Sequence, residues 1–257
     1  MGVLNVTPDS FSDGGQFLEH GAALAHAREL IGEGADLLDI GGESTRPGAA
    51  PVSEDEELAR VIPLVEALRE AGVPISVDTR RARVMSAALA AGASMINDVE
   101  ALESPGALAA VAASDCAVCL MHKKGDPQTM QRDPHYADVV AEVKAYLASR
   151  IMVAKHAGIA LERIAVDPGF GFGKTPAHNL ELLRRLAEFG SLGVAVVAGF
   201  SRKSTLGVIT GKPVGERLAA SLAAALLAAQ QGAHILRVHD VAETKDALAV
   251  WQALHAR

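Results

Sequence analysis

The sequence alternates short apolar runs with longer segments of helical periodicity, and most of the apolar runs end in a polar or charged residue. Runs of this kind between helical segments are typical of buried parallel strands. The predicted strands lie near residues 1–5, 36–40, 74–78, 94–98, 116–121, 163–167, 194–199 and 234–238. Because parallel strands joined by helices end at the same edge of the sheet, their terminal polar residues are expected to meet there. The pattern therefore favours an enzyme with its site at the carboxyl ends of the strands.

Helical patterns fill the intervals between the predicted strands. In segment 54–71, for example, Leu58, Val61 and Ile62 recur at the spacing of one helix face. The predicted helices cover residues 19–32, 54–71, 81–91, 105–113, 135–157, 176–189, 214–231 and 241–255. Eight strands alternating with eight helices favour a closed barrel over an open, doubly wound sheet. Since no linker rich in Pro, Gly and Ser divides the chain, residues 1–257 are expected to form a single (β/α)8 barrel domain.

The composition limits the classes of function. Hydrophobic residues make up 49% of the 257 residues and aromatic residues only 4%, which predicts an aliphatic core. Lys and Arg total 24 against 31 for Asp and Glu, and this net charge of −7 argues against a nucleic-acid or membrane-surface partner. The longest apolar stretch, residues 218–229, is too short to cross a bilayer, so a cytoplasmic location is expected. Cys116 and Cys119 fall in a strand-like run, which predicts buried thiols rather than a disulfide or a zinc site.

Three polar residues, Asp78, Asn97 and Asp167, end three different predicted strands. A carboxylate accepts hydrogen bonds, and an amide both donates and accepts them. Together the three side chains suit a flat heterocycle that carries amino and oxo groups. Each residue taken alone is equally consistent with a helix cap or a buried structural group, but three at one edge favour a binding site.

Positive charge follows the last two predicted strands, at Lys203, Arg237 and His239. Loops after the seventh and eighth strands of such barrels commonly bind phosphate, and a helix beginning near Ser204 would add its N-terminal dipole. The alternative is that Lys203 and Arg237 pair with local carboxylates such as Asp240.

Glycine-rich and long connections lie beside these candidate site residues. Residues 6–17 and 41–53 are rich in Gly, Pro, Ser and Asp, as expected of loops over an active site. The stretch DPGFGFGKT, residues 167–175, is not a P-loop, because Pro168 stands where that motif requires glycine. It predicts a turn whose backbone approaches a ligand closely. No spacing of His, Cys and carboxylates predicts a metal cage made by the protein alone.

Eight motifs, in order along the chain, closely resemble the dihydropteroate synthase family. They are LNVTPDSFSDGG (4–15), DIGGESTRPGA (39–49), SVDT (76–79), IND (96–98), MHKKGDPQTMQ (121–131), DPGFGFGK (167–174), SRKS (201–204) and RVHD (237–240). The resemblance implies a TIM barrel that joins 6-hydroxymethyl-7,8-dihydropterin diphosphate to p-aminobenzoate, releasing diphosphate and 7,8-dihydropteroate for folate biosynthesis. It also implies Mg²⁺, a homodimer and inhibition by sulfonamides. The implied mechanism is an ionisation-like (SN1) displacement, because charge at the reacting carbon spreads into the pterin ring and an aryl amine needs no strong base.

The resemblance also implies roles for individual residues. The pterin ring would be held by Asp78, Asn97, Asp167 and Lys203. The diphosphate would be held by Asn5, Arg237 and His239, with Asn5 also coordinating Mg²⁺. The p-aminobenzoate side would be formed by Phe11, Thr45, Arg46, Pro47, Phe172 and Ser201. The catalytic groups would be Asp78, Asp167, Lys203, Arg237 and His239.

Two alternatives are consistent with the same sequence. A pterin-dependent methyltransferase on a similar barrel would use acidic and amide residues at strand ends, but it has less need for the cations of SRKS and RVHD. A catalytically silent pterin-binding paralogue is the second.

Family members usually carry a segment before the first strand, whereas Met1 here lies within the first strand-like run, so closure at the lower end of the barrel is open to question.

Overall fold

Eight parallel strands follow one another in chain order around a barrel, within the residues that the computed structural model describes, 1–6, 16–43, 52–125 and 129–255. The strands are β1 (Gly2–Asn5), β2 (Leu38–Gly41), β3 (Ile75–Asp78), β4 (Met95–Asp98), β5 (Ala117–Met121), β6 (Ile164–Asp167), β7 (Ala195–Ala198) and β8 (Ile235–Leu236). Gly2 forms a parallel bridge with Val238, and the N–H of Val3 donates to the Val238 carbonyl at 3.0 Å. The chain following β8 therefore closes on β1, and the fold is the predicted TIM barrel.

Helices separate the strands, and their bounds largely follow the predicted periodicity. They are α1 (Gln16–Gly32), α2 (Glu54–Leu68), α3 (Ala82–Ala91), α4 (Ala107–Ala112), α5 (Val139–His156), α6 (Pro176–Arg184), α7 (Ser204–Thr210), α8 (Leu218–Gln230) and α9 (Val241–His255). The main difference lies after β7. A separate helix, α7, begins at Ser204 and ends where Gly211 takes a φ of 71°, and α8 follows only after Pro213 and a short 3-10 turn.

The alternation of side chains along each strand divides the core into two layers. The outer layer, between strands and helices, contains fully buried aliphatic residues such as Leu4, Ile40 and Val77. The expected aliphatic core is therefore present. Cys116 and Cys119 are both buried free thiols, as predicted.

The inward-facing positions change character along the strands. At the lower end they form a small apolar cluster of Met1, Met95, Cys119, Ala165 and Val197. Two residues further along β4 and β6, the next inward positions are polar. The barrel is therefore filled with apolar side chains at one end and lined with polar ones at the other. Among the described residues, no helix is long and apolar enough to cross a membrane.

Candidate active site

The polar residues predicted from strand ends lie together at the carboxyl end of the barrel. Asn5, Asp78 and Asp167 are the last residues of β1, β3 and β6, and Asn97 is the third residue of β4. Strand register pairs Asp78 with Asn97, and Gly41 lies between Asn5 and Asp78. Because Gly41 has no side chain, this part of the rim keeps an open space between the amide and the carboxylate.

Asp39, a buried carboxylate that is not among the predicted site residues, connects several of them. It is 0% exposed, and its Oδ1 accepts a hydrogen bond from Ser76 Oγ at 2.6 Å. Its Oδ2 accepts from Asn97 Nδ2 at 3.1 Å and from Arg237 Nε at 2.6 Å. The only sequence signal is an aspartate inside the apolar run LLDI, where an acid needs polar partners in order to be buried.

Arg237 lies between two carboxylates of the site. Besides its contact with Asp39, its Nη2 donates to Asp78 Oδ2 at 2.9 Å. Burial raises the pKa of Asp78 to about 7; the positive charge of Arg237 opposes this rise, and the negative charge of Asp39 adds to it. Asp240 instead pairs with Arg202, whose Nε donates to Oδ2 at 3.2 Å. Arg237 therefore pairs with carboxylates of the site rather than with Asp240.

Asp167 lies at the start of the glycine-rich segment. Its Oδ1 accepts from the Gly169 N–H at 2.7 Å, and its carbonyl accepts from the His122 N–H at 3.1 Å. Burial raises the pKa of Asp167, while the Gly169 hydrogen bond and the charges of Lys203 and Arg237 oppose that rise. The carboxylate thus lies among cations at the same end of the barrel.

Two residues assigned to p-aminobenzoate contact residues assigned to the diphosphate and to the pterin. His239 lies next to Ser201, with Nδ1 at 3.1 Å and the backbone N–H at 3.3 Å from Ser201 Oγ. Lys203 Nζ lies over the ring of Phe172, 4.2 Å from its centroid. Lys203 is also the residue immediately before α7, as the predicted helix start near Ser204 requires.

Asp98, next to Asn97, has a structural role. It is fully buried, and its two carboxylate oxygens accept from the N–H groups of Glu100 and Leu102, each at 2.8 Å. Burial raises the pKa of Asp98 to about 6, and the two backbone hydrogen bonds oppose this rise. The carboxylate thereby fixes the connection in which Ala101 and Leu102 take positive φ angles.

Ion pairs surround the ends of the segment that follows β2. Glu43 Oε1 accepts from the Val52 N–H at 3.1 Å and from Arg81 Nη2 at 3.0 Å. Arg81 also pairs with Glu57, a fully buried acid on α2. The predicted residues of the p-aminobenzoate side that lie outside the described residues are Phe11, Thr45, Arg46 and Pro47.

The described part of the site therefore combines hydrogen-bonding groups for a polar heterocycle with adjacent cations. Acids and an amide from β3, β4 and β6 face the same end of the barrel as Lys203, Arg237 and His239. Within the described ranges, no group of three or more His, Cys, Asp or Glu side chains is arranged to hold a metal ion. The polar groups and cations at this end of the barrel suit an anionic substrate with a nitrogen-rich ring.

Comparison with known proteins agrees with this description. The family model of pterin-binding enzymes matches residues 1–239, and the chain belongs to that family of TIM-barrel enzymes. Similar proteins within the family include dihydropteroate synthases: that of Escherichia coli K12 is 52% identical over 254 residues, covering 98% of this chain and 90% of the relative.

Solved structures give the same result. Dihydropteroate synthase of Xanthomonas albilineans with 4-aminobenzoic acid is 57% identical, with a TM-score of 0.95 over 100% of this chain and 93% of that one. The Yersinia pestis enzyme in a sulfonamide drug complex is 48% identical, with a TM-score of 0.95 over 100% and 94% of the two chains.

Proposed function

We propose that this protein acts as a dihydropteroate synthase, joining 6-hydroxymethyl-7,8-dihydropterin diphosphate to p-aminobenzoate. The products are 7,8-dihydropteroate and diphosphate. The observation that carries this proposal is the meeting of Asp78, Asn97 and Asp167 with Lys203 and Arg237 at one end of the barrel. The high identity to named dihydropteroate synthases over nearly the whole chain supports the same reaction.

The acids and the amide would bind the pterin through its donor groups. One of the two N–H groups of Asn97 Nδ2 donates to Asp39, which leaves Oδ1 to accept a hydrogen bond from the ring and the second N–H to donate one. Asp78 and Asp167 would accept further ring N–H groups, and Lys203 would donate to a ring acceptor. Arg237, fixed by two carboxylates, would border both the ring and the diphosphate.

The reaction would proceed by ionisation. The C–O bond to diphosphate breaks with its electron pair on the leaving oxygen, and the lone pair of the p-aminobenzoate nitrogen forms the new C–N bond. The nitrogen then loses a proton to solvent. Asp78 and Asp167 would stabilise the positive charge on the pterin, while Arg237, His239 and Lys203 would stabilise the departing anion. No Ser/His/Asp or Cys/His constellation is needed, because an aryl amine is already a nucleophile.

Mg²⁺ is the proposed cofactor. Mg²⁺ prefers oxygen ligands and usually keeps waters while sharing one or two protein ligands with substrate phosphates. Asn5, whose amide oxygen faces the space left by Gly41, fits such a site. The ion would add positive charge next to the diphosphate oxygens.

The p-aminobenzoate side would include Phe172 and Ser201, together with Phe11, Thr45, Arg46 and Pro47. The contacts of Phe172 with Lys203 and of Ser201 with His239 support placing the second substrate next to the reacting carbon. Since a Yersinia pestis relative is known in a sulfonamide complex, we propose that sulfonamides compete at the same place.

We further propose a homodimer in the cytoplasm. Large apolar side chains are exposed on the last helices, among them Val208 and Ile209 on α7, Leu227 on α8, and Val250 on α9. Apolar patches of this kind commonly mark subunit interfaces. Two free cysteines are consistent with a reducing compartment.

A direct assay tests the reaction. The purified protein is mixed with Mg²⁺, the pterin diphosphate and p-aminobenzoate, and equal amounts of diphosphate and 7,8-dihydropteroate are expected. Consumption of methyltetrahydrofolate with no diphosphate would indicate a methyltransferase instead. Pterin binding without turnover, and without rescue of a strain that cannot make dihydropteroate, would indicate a silent paralogue.

A further inference from the structure

Lys174, at the end of the DPGFGFGK motif, is a buried lysine with no role in the reaction described above. It is 2% exposed. Its Nζ lies 2.9 Å from the carbonyl oxygen of Gly169, 3.1 Å from that of Phe172 and 3.0 Å from His122 Nδ1. An amine in such a position satisfies backbone carbonyls that would otherwise be buried without partners.

The segment that Lys174 holds is tightly folded against the end of β5. Gly169 and Gly173 have φ angles of 72° and 63°, in the region that favours glycine. A Cβ at Gly169 would lie 1.9 Å from the His122 carbonyl oxygen, and one at Gly173 would lie 2.2 Å from that of Lys124. The backbones of the two connections therefore touch, and the Lys174 amine lies inside the fold that this contact creates.

Both protonation states of the amine can maintain these contacts. Burial lowers the pKa of Lys174 to about 7, and burial together with the charge of Lys174 lowers the pKa of His122 to about 3. Around Lys174, Asp167 opposes the loss of its proton, whereas Lys203 and Lys124 favour that loss. The ammonium donates to His122 Nδ1, whereas a neutral amine accepts from Nδ1–H while still donating to both carbonyls.

The segment that Lys174 holds, residues 169–174, includes Phe172, a predicted contact of p-aminobenzoate. Lys174 binds the carbonyl of Phe172, whose partly exposed ring lies 4.2 Å from Lys203 Nζ. The neighbouring Gly171 N–H is fixed separately by Asn179 Oδ1 at 2.8 Å. The position of the Phe172 ring beside Lys203 therefore depends on how the backbone between Gly169 and Lys174 is held.

We propose that Lys174 is a positioning residue for p-aminobenzoate, acting through Phe172. By donating hydrogen bonds to the carbonyls of Gly169 and Phe172, the buried amine fixes the position of the Phe172 ring, against which the second substrate binds. This inference rests on the proposed role of Phe172. The effect on p-aminobenzoate should exceed that on the pterin. Asp78 and Asn97 belong to β3 and β4, and of the predicted pterin residues Asp167 and Lys203 contact the segment that Lys174 holds.

A double-mutant cycle tests the inference. Lys174→Met leaves an unbranched side chain one atom shorter and removes its donors, and Phe172→Ala removes the ring. Lys174→Met is expected to raise the KM for p-aminobenzoate at least tenfold, with a smaller change in the affinity for the pterin diphosphate measured by calorimetry. In the Phe172→Ala background, the same substitution is expected to change that KM less than twofold. Lys155→Met, at an exposed position on α5, is the matched control and should leave both values unchanged.

The other outcomes separate two kinds of failure. If Phe172→Ala raises the KM but Lys174→Met does not, or if Lys174→Met acts equally in both backgrounds, the inference about Lys174 is wrong. If Phe172→Ala leaves the KM for p-aminobenzoate unchanged, the assignment of Phe172 is wrong, and the inference about Lys174 is then wrong as well. Should Lys174→Met fail to fold, Lys174→Gln, which retains two donors, replaces it in the same cycle, with an expected rise of at least threefold.

Discussion

Replacing Asp39 with asparagine should weaken pterin binding, although Asp39 itself is wholly buried below the site. Asparagine keeps nearly the same shape: its carbonyl oxygen can still face Asn97 and Arg237, and its amide can donate to Ser76. What the substitution removes is the negative charge. The two hydrogen bonds that position Asn97 and Arg237 then become bonds to a neutral acceptor.

The magnitude follows from these two contacts. A hydrogen bond to a charged group contributes about 1 kcal/mol more than a neutral one, so two such bonds together lose about 2 kcal/mol. Because these bonds preorganise Asn97 and Arg237 for the ligand, up to this amount is lost from binding, and the affinity for the pterin diphosphate should fall by as much as about thirtyfold. Asp39 also adds to the raised pKa of Asp78, so its neutralisation lowers that pKa. Because the pterin binds ionised Asp78, the pH below which binding is lost should move to a lower value.

Calorimetric titration with the pterin diphosphate between pH 5 and 9 measures both effects. Ser76→Ala is the matched control, because Ser76 contacts Asp39 Oδ1 but leaves the charge in place; it should lower affinity less than threefold. The reasoning is refuted if Asp39→Asn binds as tightly as the wild type, or if Ser76→Ala loses as much affinity.

Arg237→Ala should weaken binding of the diphosphorylated pterin by about 2–5 kcal/mol, because the change also leaves Asp39 and Asp78 without their cation; unchanged affinity in calorimetry would contradict this. Asp78→Ala should abolish measurable pterin binding while leaving the far-ultraviolet circular dichroism spectrum unchanged. Chelation of Mg²⁺ should stop diphosphate release reversibly, with activity restored by added Mg²⁺ and thermal melting of the protein without substrate unchanged. The pKa of Lys174 falls from 10.5 to about 7 on folding. Burial of the charged amine therefore lowers the free energy of unfolding in full below about pH 7, and this destabilisation decreases as the pH rises toward 10.5. Wild-type protein should therefore gain stability relative to Lys174→Met over that range, and melting temperatures that run parallel would exclude the shift.

The barrel and the placement of the polar strand ends were predictable from the sequence. Strand and helix periodicities alternate clearly along the sequence. The carboxyl-terminal residues of parallel strands all lie at the same end of the barrel. Asp78, Asn97 and Asp167 could therefore be grouped without knowledge of any contact. The predicted helix start near Ser204 is confirmed, because α7 begins at that residue.

Contacts between distant parts of the chain could not be predicted in this way. Asp39 interrupts an apolar run, but nothing local shows that it pairs with Arg237 rather than with solvent. Nothing local to the glycine-rich turn predicts that Lys174 is buried, because burial of its amine depends on the backbone of another connection. The predicted helix at 214–231 was too long at its start, since the 3-10 turn after Pro213 depends on packing beside α7.

The ion pair between Asp39 and Arg237 joins residues 198 positions apart. During synthesis β2 leaves the ribosome long before β8, so the pocket has no complete anchor until the final strand docks. The ability to bind the pterin is therefore expected to appear late in folding and in a single step, when β8 completes the barrel. Two fragments divided at the exposed connection between α7 and α8 would each lack half of this pair, and they should recover ligand affinity only when recombined.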